Sequence, residues 1–199
     1  MNVLLIGATG TVGSAVREKL LQETDDKLTL FARHTSRLKS NSSRESIIAG
    51  DVNSTGDLQK ALSDQDVVFV ALSGNLGAMA ETIVNVMETS PVKRLIFITS
   101  MGIYDEIPNS VGSGGNLSHN PVLETYRKAA DIIEASDLNY TIIRPGWFDN
   151  GTTEYEITHK GEPFGGHDVA IASIADLVKR LIHEPKFGIR ESLGINRPE

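Results

Sequence analysis

Short apolar runs alternate with amphipathic stretches along the whole chain. The runs have the length and the Val, Ile and Leu content of strands, and they lie at 3–6, 28–32, 46–49, 67–71, 94–99 and 140–144. The stretches between them have helical periodicity, and they lie at 12–22, 55–62, 77–89, 121–135 and 171–183. The runs at 67–71 and 94–99 are mostly apolar, which is typical of central parallel strands covered on both faces. The pattern predicts an α/β fold, a doubly wound parallel sheet with helices on both faces.

Three glycines separate the first predicted strand from the first predicted helix, in the sequence Gly7-Ala8-Thr9-Gly10-Thr11-Val12-Gly13. A strand, a glycine turn and a helix form the geometry that binds a dinucleotide pyrophosphate. We expect Gly7 and Gly10 to remove Cβ atoms that would block the phosphates and to allow backbone dihedrals that other residues disfavour. The free N–H groups at the helix start then face the anion, and Gly13 lets the helix pack closely on the strand. The alternative is a plain tight turn.

The spacing G-x-x-G-x-x-G, with Ala8-Thr9 between the first two glycines, resembles that of the short-chain dehydrogenase/reductase superfamily. The later sequence 135–148, which contains Arg144-Pro145-Gly146, resembles the atypical, NmrA-like and extended branches of that superfamily. The resemblance covers nearly the whole chain and implies a single NAD(P)-binding Rossmann domain. We interpret 1–199 as one such domain, in which 145–170 contributes a small annex on the substrate side.

Composition narrows the functional classes. A chain of 199 residues fits one domain, and its formal net charge of −7 argues against a nucleic-acid surface or an anionic membrane surface. The absence of cysteine excludes disulfides and thiolate chemistry, and the five histidines lack metal-ligand spacing, so we expect no metal site. The first apolar run is too short for a membrane span and lacks the charged start of a signal peptide. We therefore expect a cytoplasmic protein, monomeric or homodimeric.

The end of the second predicted strand indicates the type of cofactor. A site for NAD usually has Asp or Glu there to hold the adenosine ribose. Here the strand ends in Arg33, and no carboxylate follows until Glu45. A guanidinium suits a ribose phosphate, and Ser36 and Arg37 are further candidates for that contact. The sequence therefore favours NADP, with NAD as the alternative, unless Arg33 stacks on the adenine or points to solvent.

The resemblance assigns further residues along the cofactor. Asp51 and Val52, which follow the third predicted strand, correspond to a family unit that contacts the adenine. Ala71, Leu72 and Ser73, which follow the fourth, correspond to residues that pass close to the ribose. The alternatives are a helix-leading turn and a simple loop.

At the end of the sixth predicted strand, the resemblance implies that the turn at Pro145 lies next to the nicotinamide. The following residues would line the substrate pocket, so we expect Trp147 and Phe148 to form one apolar wall. The alternative for both aromatic residues is ordinary core packing.

The candidate catalytic residues depart from the family pattern. Ser100 ends the fifth predicted strand, where the superfamily has its substrate-orienting serine. The acid/base pair Tyr-x-x-x-Lys is absent, because Ala130 stands four residues after Tyr126 and Lys128 only two, a spacing that does not share one helix face. Tyr104 lacks a lysine partner too and is a candidate for the substrate pocket. We therefore expect activity to depend on Ser100 more than on Tyr126, with Lys128 as a further candidate. Surface or core roles are open for Tyr104, Tyr126 and Lys128.

The leading functional hypothesis is an oxidoreductase that prefers NADPH and transfers hydride to a small carbonyl, quinone or flavin-like acceptor. The alternative is a non-catalytic NADP(H)-binding redox sensor of NmrA type that regulates a protein partner, which the broken Tyr/Lys motif supports. A sugar-nucleotide epimerase is disfavoured, because only about 50 residues follow Gly146.

Overall fold

The computed structural model describes residues 1–36 and 38–198. Within these residues the strands are β1 (Asn2–Ile6), β2 (Lys27–Ala32), β3 (Glu45–Ala49), β4 (Val67–Val70), β5 (Arg94–Ile98), β6 (Asn139–Pro145), β7 (Trp147–Asp149), β8 (Glu156–Thr158), β9 (Asp168–Ala170) and β10 (Glu191–Asn196). The main sheet has the order β3-β2-β1-β4-β5-β6-β10-β8. All of its neighbouring strands are parallel except β10 and β8. Strands β7 and β9 form a separate parallel pair.

Helices cover both faces of the main sheet. They are α1 (Thr11–Glu23), α2 (Thr55–Ala61), α3 (Leu76–Glu88), α4 (Glu124–Glu134) and α5 (Ile171–His183), with short 3-10 turns at Ser113–Gly115 and Pro121–Leu123. The alternation along β1 shows the two cores: Leu4 and Ile6 pack with α2, α3 and α4, whereas Val3 and Leu5 pack with α1 and α5. The predicted doubly wound α/β fold, built as one domain, is confirmed.

The order of the strands places a crevice next to β1. Helix α1 leads from β1 to β2 on one side, and the chain later returns through α2 to β4 on the other side of β1. The connections therefore diverge at the carboxyl ends of β1 and β4. In open α/β sheets this is the point where ligands bind.

The structure adds strands that the apolar pattern did not predict. Strand β10 extends the sheet beyond β6, although its sequence contains Glu, Ser, Gly and Asn among the apolar residues. Residues Glu156–Thr158 form the edge strand β8, which pairs with β10 in the antiparallel direction. Segment 145–170 also contains β7 and β9, and its role on the substrate side stays a prediction. In the described part of the chain, no helix is long and apolar enough to cross a membrane.

Candidate functional site

A cavity of about 500 Å³ opens at the carboxyl ends of β1, β2, β4 and β5. Its lining comes from the turns after these strands and after β3, with single side chains from α3, α4 and β7. The lining residues are Ile6, Gly7, Thr9, Gly10, Thr11, Val12, Gly13, Phe31, Ala32, Arg33, His34, Gly50, Asp51, Val52, Ala71, Leu72, Ser73, Met79, Ile98, Thr99, Tyr126 and Phe148. The cavity therefore lies in the crevice that the strand order creates.

The first and third glycines of the turn are required by close packing. Gly7 has φ +96°, and a Cβ there would overlap the carbonyl oxygen of Ala71 and come within 2.9 Å of its carbonyl carbon. A Cβ on Gly13 would come within 2.8 Å of the Gly7 carbonyl carbon, so the start of α1 lies directly on the turn. These two glycines let β1, α1 and the end of β4 approach one another.

Gly10 differs from the other two, which corrects one expectation from the sequence. Its φ of −78° and ψ of 170° are ordinary extended values, so the turn demands no special dihedrals there. A Cβ would meet only the Gly7 carbonyl oxygen, at 3.5 Å. Because Gly10 lines the cavity, its missing side chain leaves space for a ligand.

The start of α1 suits an anion. The first helical hydrogen bond runs from the amide of Ser14 to the carbonyl of Gly10, at 2.8 Å. The amides of Thr11, Val12 and Gly13 precede that bond and make no hydrogen bond to any other described residue. No acidic side chain lies in the first turn of the helix. Unpaired N–H groups and the helix dipole therefore meet at the cavity wall, as a pyrophosphate requires.

The opposite end of the cavity carries a positive charge. Arg33 and His34 follow β2 and are exposed, and Asp51 lies near them after β3. The pKa of the Asp51 carboxyl is lowered, mainly by the backbone N–H of Asn53 and further by the charge of Arg33. Asp51 is the only carboxylate among the described lining residues, and none stands at the end of β2. Arg37, also a candidate here, lies outside the described residues.

The third side of the cavity, at the end of β5, is apolar and aromatic. The residues that converge there are Thr99, directly after β5, Met79 from α3, Tyr126 from α4 and Phe148 from β7. The Thr99 hydroxyl is buried and donates to the Ile143 carbonyl at 3.0 Å, so it is committed to the sheet. The Tyr126 hydroxyl makes no hydrogen bond within the described part of the chain. Sequence reasoning missed Met79 and Thr99, although Thr99 immediately precedes the candidate Ser100.

Two of the three candidate catalytic residues lie outside the cavity lining. The Ser100 hydroxyl donates to the carbonyl of Met101 at 3.0 Å. The stem of Lys128 lies across α3, where its Cδ would be 2.7 Å from a Cβ on Gly77. The geometry therefore ranks Tyr126 ahead of Ser100, the reverse of the expected order, and all three catalytic roles stay predictions.

The expected wall of Trp147 and Phe148 is divided between two faces. Successive side chains of a strand point to opposite sides, and only Phe148 lines the cavity. Trp147 is 63% exposed and stacks on the His167 ring, with centroids 5.8 Å apart and planes at 8°. Pro145 is buried and outside the lining, and its carbonyl accepts from the amide of Met101 at 3.0 Å.

Tyr104, a candidate for the substrate pocket, lies outside the lining of this cavity. Its hydroxyl donates to Glu134 at 2.8 Å and lies 3.3 Å from the Ser192 hydroxyl. Burial raises the pKa of Tyr104 above its usual value. Tyr104 therefore stays protonated near neutral pH, and its hydroxyl is already paired away from the cavity.

Arg144, the arginine of the Arg-Pro-Gly sequence, has a structural role. It is fully buried and pairs with Glu106 at 2.6 Å. Glu106 also accepts the backbone N–H groups of Gly102 and Tyr104, so the pair fixes the loop after β5. The Arg144 Nε donates to the Ser192 hydroxyl and ties this loop to β10.

Comparisons with known proteins agree with this geometry. A family model described as NAD(P)H-binding matches residues 7–185. A Rossmann-fold NAD(P)-binding family protein from Shigella flexneri is 36% identical, with 99% of this chain and 93% of that chain covered and a TM-score of 0.85. No curated protein sequence matches significantly.

Two further solved structures share the fold. A short-chain dehydrogenase/reductase from Veillonella parvula DSM 2008, solved in complex with NADP, is 25% identical, with 99% of this chain and 94% of that chain covered and a TM-score of 0.89. The anaerobillin reductase ChuY from Escherichia coli O157:H7 is 20% identical, with 100% of this chain and 98% of that chain covered and a TM-score of 0.83. At that identity, ChuY supports the fold alone.

Proposed function

This chain belongs to the NAD(P)H-binding family, and from that premise we propose that it is a reductase that uses NADPH to reduce a neutral carbonyl, quinone or flavin-like acceptor. One observation carries the proposal: the cavity joins an uncapped helix start, an exposed arginine and an apolar aromatic end. The helix start suits a pyrophosphate, the arginine suits a ribose phosphate, and the aromatic end suits a nicotinamide with its acceptor. The residues present therefore fit the cofactor.

The preference for NADPH over NADH rests on the charges beside β2. Arg33 lies where a site for NAD would place a carboxylate, and Asp51 is already hydrogen-bonded to the backbone N–H and side-chain amide of Asn53. The guanidinium is exposed and offers a planar donor fork to a 2′-phosphate. The NADP complex of the Veillonella parvula relative supports the same preference.

At the aromatic end, bound NADPH would supply the hydride. We assign to Tyr126 the proton that the acceptor oxygen takes up, because this residue lines the cavity and its hydroxyl makes no hydrogen bond within the described residues. Met79 and Phe148 beside it present apolar surface, which favours a flat, uncharged acceptor. Through Phe148, segment 145–170 would contribute to the acceptor site. Ser100 is a weaker candidate, since its hydroxyl would have to leave the Met101 carbonyl.

A second function has its own supporting observation. Lys128 lies across Gly77 rather than beside Tyr126, so the tyrosine lacks the lysine that would lower its pKa. A chain that binds NADP(H) tightly without turnover would be a redox sensor acting on a protein partner.

An acceptor screen separates the two functions. NADPH oxidation is followed at 340 nm with a quinone, a flavin, an aldehyde and anaerobillin, because ChuY is described as an anaerobillin reductase. The Gly10→Val variant is the control, since valine would occupy the space beside α1. Turnover with one acceptor, lost in Gly10→Val, supports the reductase. Tight NADPH binding without turnover for any acceptor would favour the sensor.

A further inference from the structure

The loop between β4 and α3, residues 71–75, carries three cavity-lining residues, Ala71, Leu72 and Ser73. The start of this loop is fixed by the main chain. The Ala71 amide donates to the Ile6 carbonyl at 3.0 Å, and Gly7 packs against the Ala71 carbonyl. Any freedom of Leu72 and Ser73 therefore depends on how the far end of the loop is held.

The far end is held by one side chain from another helix. The Thr125 Oγ1 donates to the Gly74 carbonyl at 3.0 Å and accepts from the Leu76 amide at 2.8 Å. The Leu76 amide also contacts the Gly74 carbonyl at 2.9 Å, a tight turn that Thr125 completes. Gly74 has φ +102°, so the chain reverses sharply where Thr125 binds it. Among the described residues, no other side chain outside this loop and α3 hydrogen-bonds residues 73–76.

Thr125 also precedes Tyr126, the candidate proton donor, in the first turn of α4. The hydroxyl of Thr125 therefore couples two parts of the cavity wall: the loop with Leu72 and Ser73, and the turn with Tyr126. A side-chain hydroxyl, which both donates and accepts, is required, because the loop offers a carbonyl and an amide at this point.

We propose that Thr125 is a positioning residue that sets cofactor affinity by holding the 71–75 loop against the first turn of α4. The inference rests on the proposed NADPH site. Without the Thr125 hydroxyl the loop would populate open conformations, and the apparent affinity would equal the affinity of the closed state multiplied by the fraction of molecules that remain closed. Thr125 need not touch the cofactor, since it acts through Leu72, Ser73 and Tyr126.

The test compares three variants by NADPH titration, with folding checked by circular dichroism. Thr125→Val removes both hydrogen bonds and should raise the Kd for NADPH about 5- to 30-fold, the range for one or two net hydrogen bonds. Thr125→Ser keeps the hydroxyl and should stay within about 2-fold of the wild type. Thr82→Val is the matched control, because the Thr82 hydroxyl donates to Ala78 within α3 and does not contact the loop. If Thr125→Val fails to fold, Thr125→Ala replaces it.

Hydrogen exchange at the Leu76 amide supplies a readout that a general loss of stability would not produce. In folded Thr125→Val this amide should exchange faster than in the wild type while the α5 amides are unchanged, and saturating NADPH should slow it again. A Kd within 2-fold of the wild type for Thr125→Val, or an equal loss in Thr125→Ser, would overturn the inference. If the wild type binds no NADPH, the proposed function fails first and this inference with it.

Discussion

The glycine turn allows cofactor binding to be removed without unfolding the protein. Gly10→Val adds a branched side chain to a residue with φ −78° and ψ 170°, values that valine adopts readily. The Cβ would meet only the Gly7 carbonyl oxygen, at 3.5 Å. The cost to folding is therefore about 1 kcal/mol, the usual loss when an apolar residue replaces a favoured residue at a helix N-cap. The two γ-methyl groups would extend into the cavity beside the amides of Thr11 and Val12.

Gly7→Ala is the contrasting variant. Gly7 has φ +96°, and the Cβ of an alanine there would overlap the Ala71 carbonyl oxygen. A positive φ costs alanine ~1–3 kcal/mol, and β1 and β4 must also separate to admit the methyl group. We therefore expect Gly7→Ala to lose more than ~2 kcal/mol of unfolding free energy, the sum of that strain and the displaced packing.

Urea unfolding and calorimetric titration with NADPH measure the two effects separately. Gly10→Val should unfold within ~1 kcal/mol of the wild type and bind NADPH at least ~100-fold more weakly, a loss of ~2.7 kcal/mol in binding free energy. Retained affinity in a folded Gly10→Val protein would refute the assignment of the pyrophosphate to this turn. Equal stability of Gly7→Ala and Gly10→Val would refute the distinction between the two glycines.

Three further predictions concern charge, chemistry and the core. Arg33→Ala should weaken the binding of NADPH by ~1–3 kcal/mol in calorimetry and leave the binding of NADH nearly unchanged, because a charge-assisted contact to the 2′-phosphate is lost. Equal losses of affinity for the two cofactors would contradict the role of Arg33. At saturating NADPH, Tyr126→Phe should lower kcat for a carbonyl acceptor about 100-fold and Ser100→Ala less than about 5-fold, and the opposite ranking would restore Ser100 as the principal residue. Glu106→Gln should lower the free energy of unfolding by about 3 kcal/mol because it leaves a buried guanidinium without its counter-charge, whereas Asp131→Asn, in an exposed ion pair, should cost under about 1 kcal/mol.

The main elements could be predicted from the sequence because they bury continuous apolar runs. Strands β4 and β5 are apolar throughout or nearly so, and their pattern alone places them in the centre of a covered sheet. Strand β10 was not predicted because its apolar residues Leu193 and Ile195 are separated by Gly194 and flanked by polar residues, so the sequence shows no continuous apolar run. The three-residue strands β7 and β9 also depend on each other, and no local pattern of that length distinguishes a strand from a loop.

The cofactor end of the site was more predictable than the acceptor end. A glycine turn constrains the main chain locally, so its position between β1 and α1 could be read from adjacent residues. Ser100 and Tyr126, in contrast, come from different elements, and their rank depends on which way each side chain turns. The Ser100 hydroxyl turns to the Met101 carbonyl. A sequence pattern does not contain that rotation, nor the alternation that separates Trp147 from Phe148.

This difference between the two ends bears on the choice between reductase and sensor. The cofactor end is formed largely by main-chain groups, and both functions need it equally. The acceptor end is formed by single side chains, Met79, Thr99, Tyr126 and Phe148, each from a different element. A sensor needs only apolar surface there, which Met79 and Phe148 supply. A reductase additionally needs a proton, for which Tyr126 is the candidate donor in the cavity, so a loss of turnover in Tyr126→Phe at full NADPH occupancy would support the reductase.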